Sequence, residues 1–174
     1  MKTGFSPARM ADTQQAHRAA QRQFYPRLFP GLAIAFESTV DEIADLKYAV
    51  DCRVAVTVRQ PLRAPLTFSV QERWRTDLDA MSWGDVTVTE WNVASDTPSE
   101  LHKLGAHLFV YGFYDKAGDR IVEAVCINVA GMLLALALGK LPYKPRLTAG
   151  RDQTFVPFTV RDLENVGAII LKTW

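Results

Sequence analysis

The chain has 174 residues, of which 20 are basic and 19 acidic, for a net charge of +1, and 48% are hydrophobic. That length suits one domain with a sizeable core and is short for two, and the composition is that of an ordinary soluble globular protein. The longest apolar run, Val125 to Leu138, is broken by Asn128 and falls short of the ~20 residues that span a membrane, so a membrane role is not expected.

The amino terminus has no apolar signal core. Cys52 and Cys126 both sit inside apolar runs, where a cysteine packs as a small hydrophobe rather than bridging, which points to a reducing, cytoplasmic setting. Charge is unevenly placed. Residues 1–27 hold five basic residues against Asp12, residues 47–75 hold six against Asp51 and Glu72, and residues 76–123 hold nine acids against three bases. Basic blocks beside an acid-bearing segment can meet a polyanion locally.

In chain order, Asp12 to Gln23 is polar and alanine-rich, with Asp12 placed to cap a first helix. Tyr25 to Gly31 reads as a turn. Leu32 to Asp45 has Phe36, Val40, Ile43 and Ala44 at helical spacing, with Glu37 one residue off that stripe. The pattern then switches to a period of two. Val50, Cys52, Val54, Val56 and Val58 share one strand face, and Asp51, Arg53, Ala55 and Thr57 the other.

Arg59 to Leu66, with prolines at 61 and 65, forms a turning connection. In the next strand Phe68, Val70, Glu72 and Trp74 share a face, opposite Ser69, Gln71, Arg73 and Arg75. A third strand, Asp85 to Trp91, sets Glu90 in phase with Val86 and Val88. Carboxylates at such positions need a partner, a metal or a proton.

Thr97-Pro98-Ser99-Glu100 has the form of a capping box opening a helix to Leu104, with Lys103 in its last turn. His107–Tyr114 and Arg120–Asn128 read as a hairpin about Asp115–Asp119. Val129–Leu138 reads as a helix ending at Gly139, and Arg161–Gly167 as a short final helix. Trp74, Trp83 and Trp91 are expected in the core. His17, His102 and His107 have no metal-ligand spacing with cysteine and receive no role. There is no phosphate loop, dinucleotide fingerprint or Gly-x-Ser-x-Gly.

The adjacent strands at Asp51 and at Gln71-Glu72-Arg73 bring acids, an amide and an arginine together, which suits metal-assisted phosphodiester hydrolysis. The order of Glu37 in a first helix, Asp51 on a strand and Gln71-Glu72-Arg73 on the next resembles the PD-(D/E)XK nuclease superfamily over roughly residues 30–115. The resemblance implies one restriction-endonuclease-like domain over residues 1–174, of mixed α/β class, with a central mixed sheet flanked by helices. It implies Glu37, Asp51, Gln71 and Arg73 as catalytic residues, Asp51 and Glu72 as ligands of Mg²⁺ or Mn²⁺, DNA as substrate and a possible homodimer. Gln71 stands where the superfamily has a carboxylate and Arg73 where it has a lysine, and arginine does not readily deprotonate.

Other readings stand beside this one. Asp51, Arg53 and Arg73 also suit a cross-strand ion-pair ladder, Glu72 and Glu90 suit pairing with arginines, and Lys103 suits a helix C-terminus. A non-catalytic module that binds nucleic acid or a partner protein, and an assembly protein using the hairpin near Lys116, are the alternatives to an enzyme.

Overall fold

The computed structural model describes residues 7–39, 43–57 and 65–173. Residues 59–64 of the expected connection, and the Val58 and Val40 positions, lie outside the described residues. In chain order the elements are α1 (Pro7–Gln23), α2 (Tyr25–Leu28), β1 (Ala33–Ser38), α3 (Ile43–Tyr48), β2 (Cys52–Thr57) and β3 (Leu66–Arg75). After a 3-10 turn at Leu78–Trp83 come β4 (Asp85–Asn92), β5 (Thr97–Pro98), α4 (Glu100–Lys103), β6 (Leu108–Asp115) and β7 (Arg120–Asn128). The chain closes with α5 (Val129–Ala137), β8 (Arg146–Leu147), β9 (Gln153–Thr159), α6 (Val160–Asn165) and β10 (Ile169–Lys172).

The fold is mixed α/β. Its centre is a six-stranded sheet in the order β1-β2-β3-β6-β7-β10. Only β3 and β6 run parallel; the other neighbours are antiparallel. A parallel neighbour needs a crossover, and here β4, β5 and α4 make it. A second sheet, β5-β4-β9-β8, is antiparallel throughout.

Three layers result, and the residue pattern explains them. On one face of the central sheet α1 lays Ala16, Ala19 and Ala20, all fully buried, so the helix backbone comes close to the strands. Phe24 and Tyr25 continue this layer onto Cys52, Val54, Val70 and Val110. On the other face Phe109, Tyr111 and Phe113 meet Val86 and Val88 of β4, Val156 and Phe158 of β9, and Met132 of α5. β6 is covered on both sides and loses alternation: seven of its eight residues are buried.

Several expectations change. Leu32–Asp45 is not one helix: Ile34 and Phe36 alternate in β1, which pairs with β2, and a separate helix starts at Ile43. The first helix begins at Pro7, ahead of Asp12. Thr97 and Pro98 pair with β4 instead of capping, and the N-cap of α4 is Ser99, which makes no side-chain capping bond. Glu100 has other partners. β9 and β10 are strands the sequence patterns did not announce. β8 pairs β9 only at Phe155 and Thr154, so Pro157 lies along an open edge, where a residue without an N–H is tolerated.

The hairpin of β6 and β7, the helix α5 with Asn128 capping it, and the short α6 all form as expected. Both cysteines are buried and unbridged. Among the described residues no helix is long and apolar enough to cross a membrane.

Candidate functional site

Asp51 stands where the β2–β3 ladder stops. The last paired residues are Cys52 and Val70. One step earlier, the Asp51 N–H donates to the Val70 carbonyl at 2.8 Å, and the Asp51 Oδ2 accepts the Glu72 N–H at 2.6 Å. The two contacts straddle Gln71. Burial pushes the Asp51 carboxyl up to about 7; the Glu72 amide works against this, and the Glu72, Asp45 and Glu100 charges add to it.

Gln71 and Arg73 leave β3 on one face, as alternation requires, and α4 meets them with Glu100. The Gln71 Nε2 donates to the Glu100 Oε1 at 3.2 Å. The Arg73 Nη2 lies 2.9 Å from the Glu100 Oε2, which also accepts from the Thr89 N–H at 3.3 Å and its hydroxyl at 3.1 Å. Arg73 further donates from Nη1 to the Thr87 carbonyl at 3.0 Å, and so ties β3 to β4.

Glu100, its side chain only 9% exposed, is fully used. Because its carboxylate is an acceptor, the Gln71 amide must present Nε2 to it. This turns the Gln71 Oε1 away, and that oxygen is buried without a hydrogen-bond partner among the described residues. A buried acceptor left unbonded is costly. One desolvated carboxyl and one orphaned amide oxygen therefore belong to neighbouring strand positions, with Arg73 beside them.

Glu72 leaves on the opposite face. It is 7% exposed and accepts from the Trp74 Nε1 at 2.7 Å, the His17 Nδ1 at 2.8 Å and the Tyr25 hydroxyl. Gln21 holds the other His17 ring nitrogen at 2.7 Å. Burial alone lowers the His17 pKa, but the Glu72 hydrogen bond and charge outweigh it and leave it raised from 6.5. The structure thus does not bring the Glu72 carboxylate to the face that carries Gln71 and Arg73. His17, Cys52 and Glu72 donor atoms lie within 4.8 Å of one another. Burial holds the Cys52 thiol firmly protonated, however, and three donors already satisfy Glu72.

The remaining expected residues are placed as follows. Glu37 is on β1, not on a helix; its side chain is 67% exposed and pairs with Arg53 at 3.3 Å. Glu90 pairs with hydroxyls rather than arginine: Thr154 donates at 2.5 Å and Tyr143 donates as well, and these bonds lower its pKa. Lys103 is exposed in the last turn of α4. Trp74 is half-buried and packs against the core between α1 and the sheet, while the side chain of Trp83 lies outside the described residues.

Arg73 also lines a groove of about 1210 Å³ over the outer face of the second sheet. The alternation that turns Val86, Val88, Val156 and Phe158 into the core turns Thr87, Thr89, Phe155 and Pro157 outward as its floor. One wall is Arg73 to Arg75 and the other is residues 142–149, with Lys144 and Arg146. The sequence patterns did not single out Lys144 or Arg146, and they gave His17 no role. Only the Pro142-Tyr-Lys-Pro-Arg146 alternation of prolines and cations signals the wall, and nothing local ties His17 to Glu72, 55 residues away.

No protein-family model matches the sequence, and no curated protein does. A solved structure described as a nuclease from a fusselovirus is similar at a TM-score of 0.39 and 10% sequence identity, over 95% of this chain and 94% of that one. A likeness of that size leaves the chemistry to be argued from the side chains.

Proposed function

We propose that the protein is a nuclease-like hydrolase of phosphodiester bonds in DNA, dependent on Mg²⁺ or Mn²⁺. The observation that carries this reading is the pair of oxygens at the end of the β2–β3 ladder. Asp51 has a desolvated carboxyl, and the Gln71 Oε1 is buried without a partner. Hard oxygen donors of this kind fit Mg²⁺ or Mn²⁺, which keep several water ligands and need few from the protein. In this reading Asp51 and Gln71 hold the ion, and Glu100 fixes the rotamers of Gln71 and Arg73 through the bonds described above.

When bound, a divalent ion supplies a water of lowered pKa and positive charge beside the scissile phosphate. Arg73 adds a second, permanent positive charge for the non-bridging oxygens, and it stays protonated, so it is not the base. Hydrolysis breaks one P–O ester bond: water contributes hydroxyl to phosphorus, and the departing sugar oxygen takes a proton. Glu37, exposed and paired with Arg53 on the edge strand, is given no part in this step.

The test is calorimetric titration of Mn²⁺ into the wild-type protein and into Asp51→Asn, followed by plasmid cleavage with both. Saturable binding that the substitution abolishes, together with nicking by the wild type alone, supports the reading. Binding that survives in Asp51→Asn, or none in either protein, defeats it. A second reading has its own observation: Glu100 is wholly occupied by Gln71, Arg73 and Thr89, which leaves one carboxylate for a metal. In that case the protein binds nucleic acid without cutting it, and binding is the same with a chelator present.

A further inference from the structure

We infer that the groove over the outer face of the second sheet takes a single strand of nucleic acid, gripped at its phosphates by Lys144 and Arg146 on one wall and Arg73 and Arg75 on the other. The inference rests on the phosphodiester reading above and names the form of substrate for it. Size argues first. A volume of about 1210 Å³ equals a cube about 11 Å on edge, room for a few nucleotides of one strand.

Charge argues second. The ionisable side chains of the lining are Arg73, Arg75, Lys144 and Arg146 against Asp85 and Asp162; Arg73 and Arg75 are paired with Glu100 and Asp77, and Lys144 and Arg146 supply the exposed positive charge. The cations stand on both walls. Burial raises the Asp85 pKa at the floor, and the charges of Arg75 on β3 and Arg146 on β8 both work against that rise. Lys144 and Arg146 are exposed and alternate with Pro142 and Pro145, which stiffen the wall.

The floor argues third. Phe155 and Pro157 are half-buried there, and Leu147 is exposed beside them. A polyanion lying on this floor needs flat apolar faces of its own, and unpaired bases have them; base stacking on aromatic side chains is the usual device of single-strand grooves. A paired duplex hides those faces. The wall is also pinned from below, because Tyr143 donates to Glu90, which in turn accepts from Thr154. The chain beside its cations is therefore anchored to the second sheet. Arg73 belongs both to the groove and to the Asp51 cluster, and it leads the strand toward the reacting centre.

The test is fluorescence anisotropy with a labelled twelve-nucleotide thymidine strand and with a blunt duplex of equal length, both in EDTA so that no hydrolysis intervenes. The expected result is that the single strand binds at least tenfold more tightly than the duplex. The double substitution K144E/R146E is expected to weaken strand binding by tenfold or more and to flatten its salt dependence. Phe155→Ala is expected to weaken binding with the salt slope kept. Arg27→Glu, on the exposed side of α2 behind the central sheet, is the charge control and is expected to bind as wild type.

Equal or tighter duplex binding overturns the inference, as does wild-type affinity in K144E/R146E when its thermal melt matches wild type. Absence of any binding in EDTA also overturns it. The two readings fail separately. Asp51→Asn is expected to retain strand binding in EDTA, and K144E/R146E is expected to retain the Mn²⁺ titration that Asp51→Asn loses.

Discussion

Asp51 and Glu72 meet across the thickness of the central sheet. The Glu72 backbone N–H donates to the Asp51 carboxylate at 2.6 Å, while the Glu72 carboxylate leaves on the other face to meet His17, Tyr25 and Trp74. One residue of β3 thus carries a bond to the candidate site through its main chain and anchors the α1 layer through its side chain. Acids at adjacent strand positions normally repel; here the pleat divides them between two environments, although the Glu72 charge still contributes to the raised Asp51 pKa.

Asp51 gives a pH dependence of definite sign. Its carboxyl is raised from 3.8 to about 7, mainly by burial. The folded state then holds a proton that the unfolded chain releases, so the stabilisation is full below 3.8 and is lost as pH rises through about 7. Asp51→Asn keeps an acceptor for the Glu72 N–H and cannot ionise. It is expected to be more stable than wild type at pH 8.5, on the order of 2 kcal/mol after relaxation, and no more stable at pH 4. Urea midpoints at the two pH values measure this. A divalent ion that binds Asp51 must displace the same proton, so Mn²⁺ affinity in wild type is expected to climb as pH passes about 7, with proton release seen in buffers of different ionisation enthalpy.

His17 shifts stability in the same direction from the opposite face. Burial lowers its pKa, but the bond to Glu72 and that charge leave it raised above 6.5. Its contribution is complete below 6.5 and disappears as pH rises through the folded value. His17→Gln is expected to remove that part of the dependence, and the double variant with Asp51→Asn to remove both. Glu72→Ala is a harsher change. It strands the Tyr25 hydroxyl and the Trp74 N–H in the core, and a loss of about 3–5 kcal/mol is expected for breaking so buried a set. Glu72→Gln keeps an acceptor and is expected to lose less in the same denaturation experiment.

Period-two patterning made β2 and β3 readable, and with them the shared face of Gln71 and Arg73. The segment from Leu32 to Asp45 misled because Phe36 fits a helical stripe as well as a strand; the pairing of Phe36 with Val54 decides for the strand, and pairing is not local information. β9 was hidden by Pro157, which a central strand forbids but an open edge allows. Glu100 was legible as a residue and not as a role: its position after Thr97-Pro98 suggested a cap, whereas the fold uses it to hold Gln71 and Arg73. The groove was not legible, since its walls come from β3 and from residues 142–149, which no sequence pattern ties together.

Arg73 joins the sheets through Glu100 and the Thr87 carbonyl. Arg73→Ala is expected to cost about 1–3 kcal/mol, because Glu100, mostly buried, loses its counter-charge. Arg73→Lys restores the charge but cannot reproduce the forked contact to both partners, and is expected to recover only part of the loss. Guanidinium denaturation of the three proteins gives the order. If Arg73→Lys matches wild type, the two-sheet bridge contributes nothing beyond charge.

Gly112 tests the packing on which everything above depends. It lies on β6 opposite Trp74 of β3 and Ala124 of β7. A Cβ at this position meets the Glu123 carbonyl oxygen at 2.5 Å, the Trp74 Cζ3 at 2.6 Å and the Ala124 Cβ at 2.9 Å. Two of those atoms belong to neighbouring strands' backbone or Cβ and cannot swing aside. Only the indole can move, and its N–H is committed to Glu72. Gly112→Ala is expected to destabilise by about 2–4 kcal/mol, as overpacking of a filled core does, and to shift Trp74 fluorescence as the ring is displaced. Combining it with Trp74→Phe, a smaller ring that already lacks the N–H, is expected to cost less than the sum of the two single changes. Strict additivity in that cycle shows that the indole does not set the cost of a side chain at Gly112.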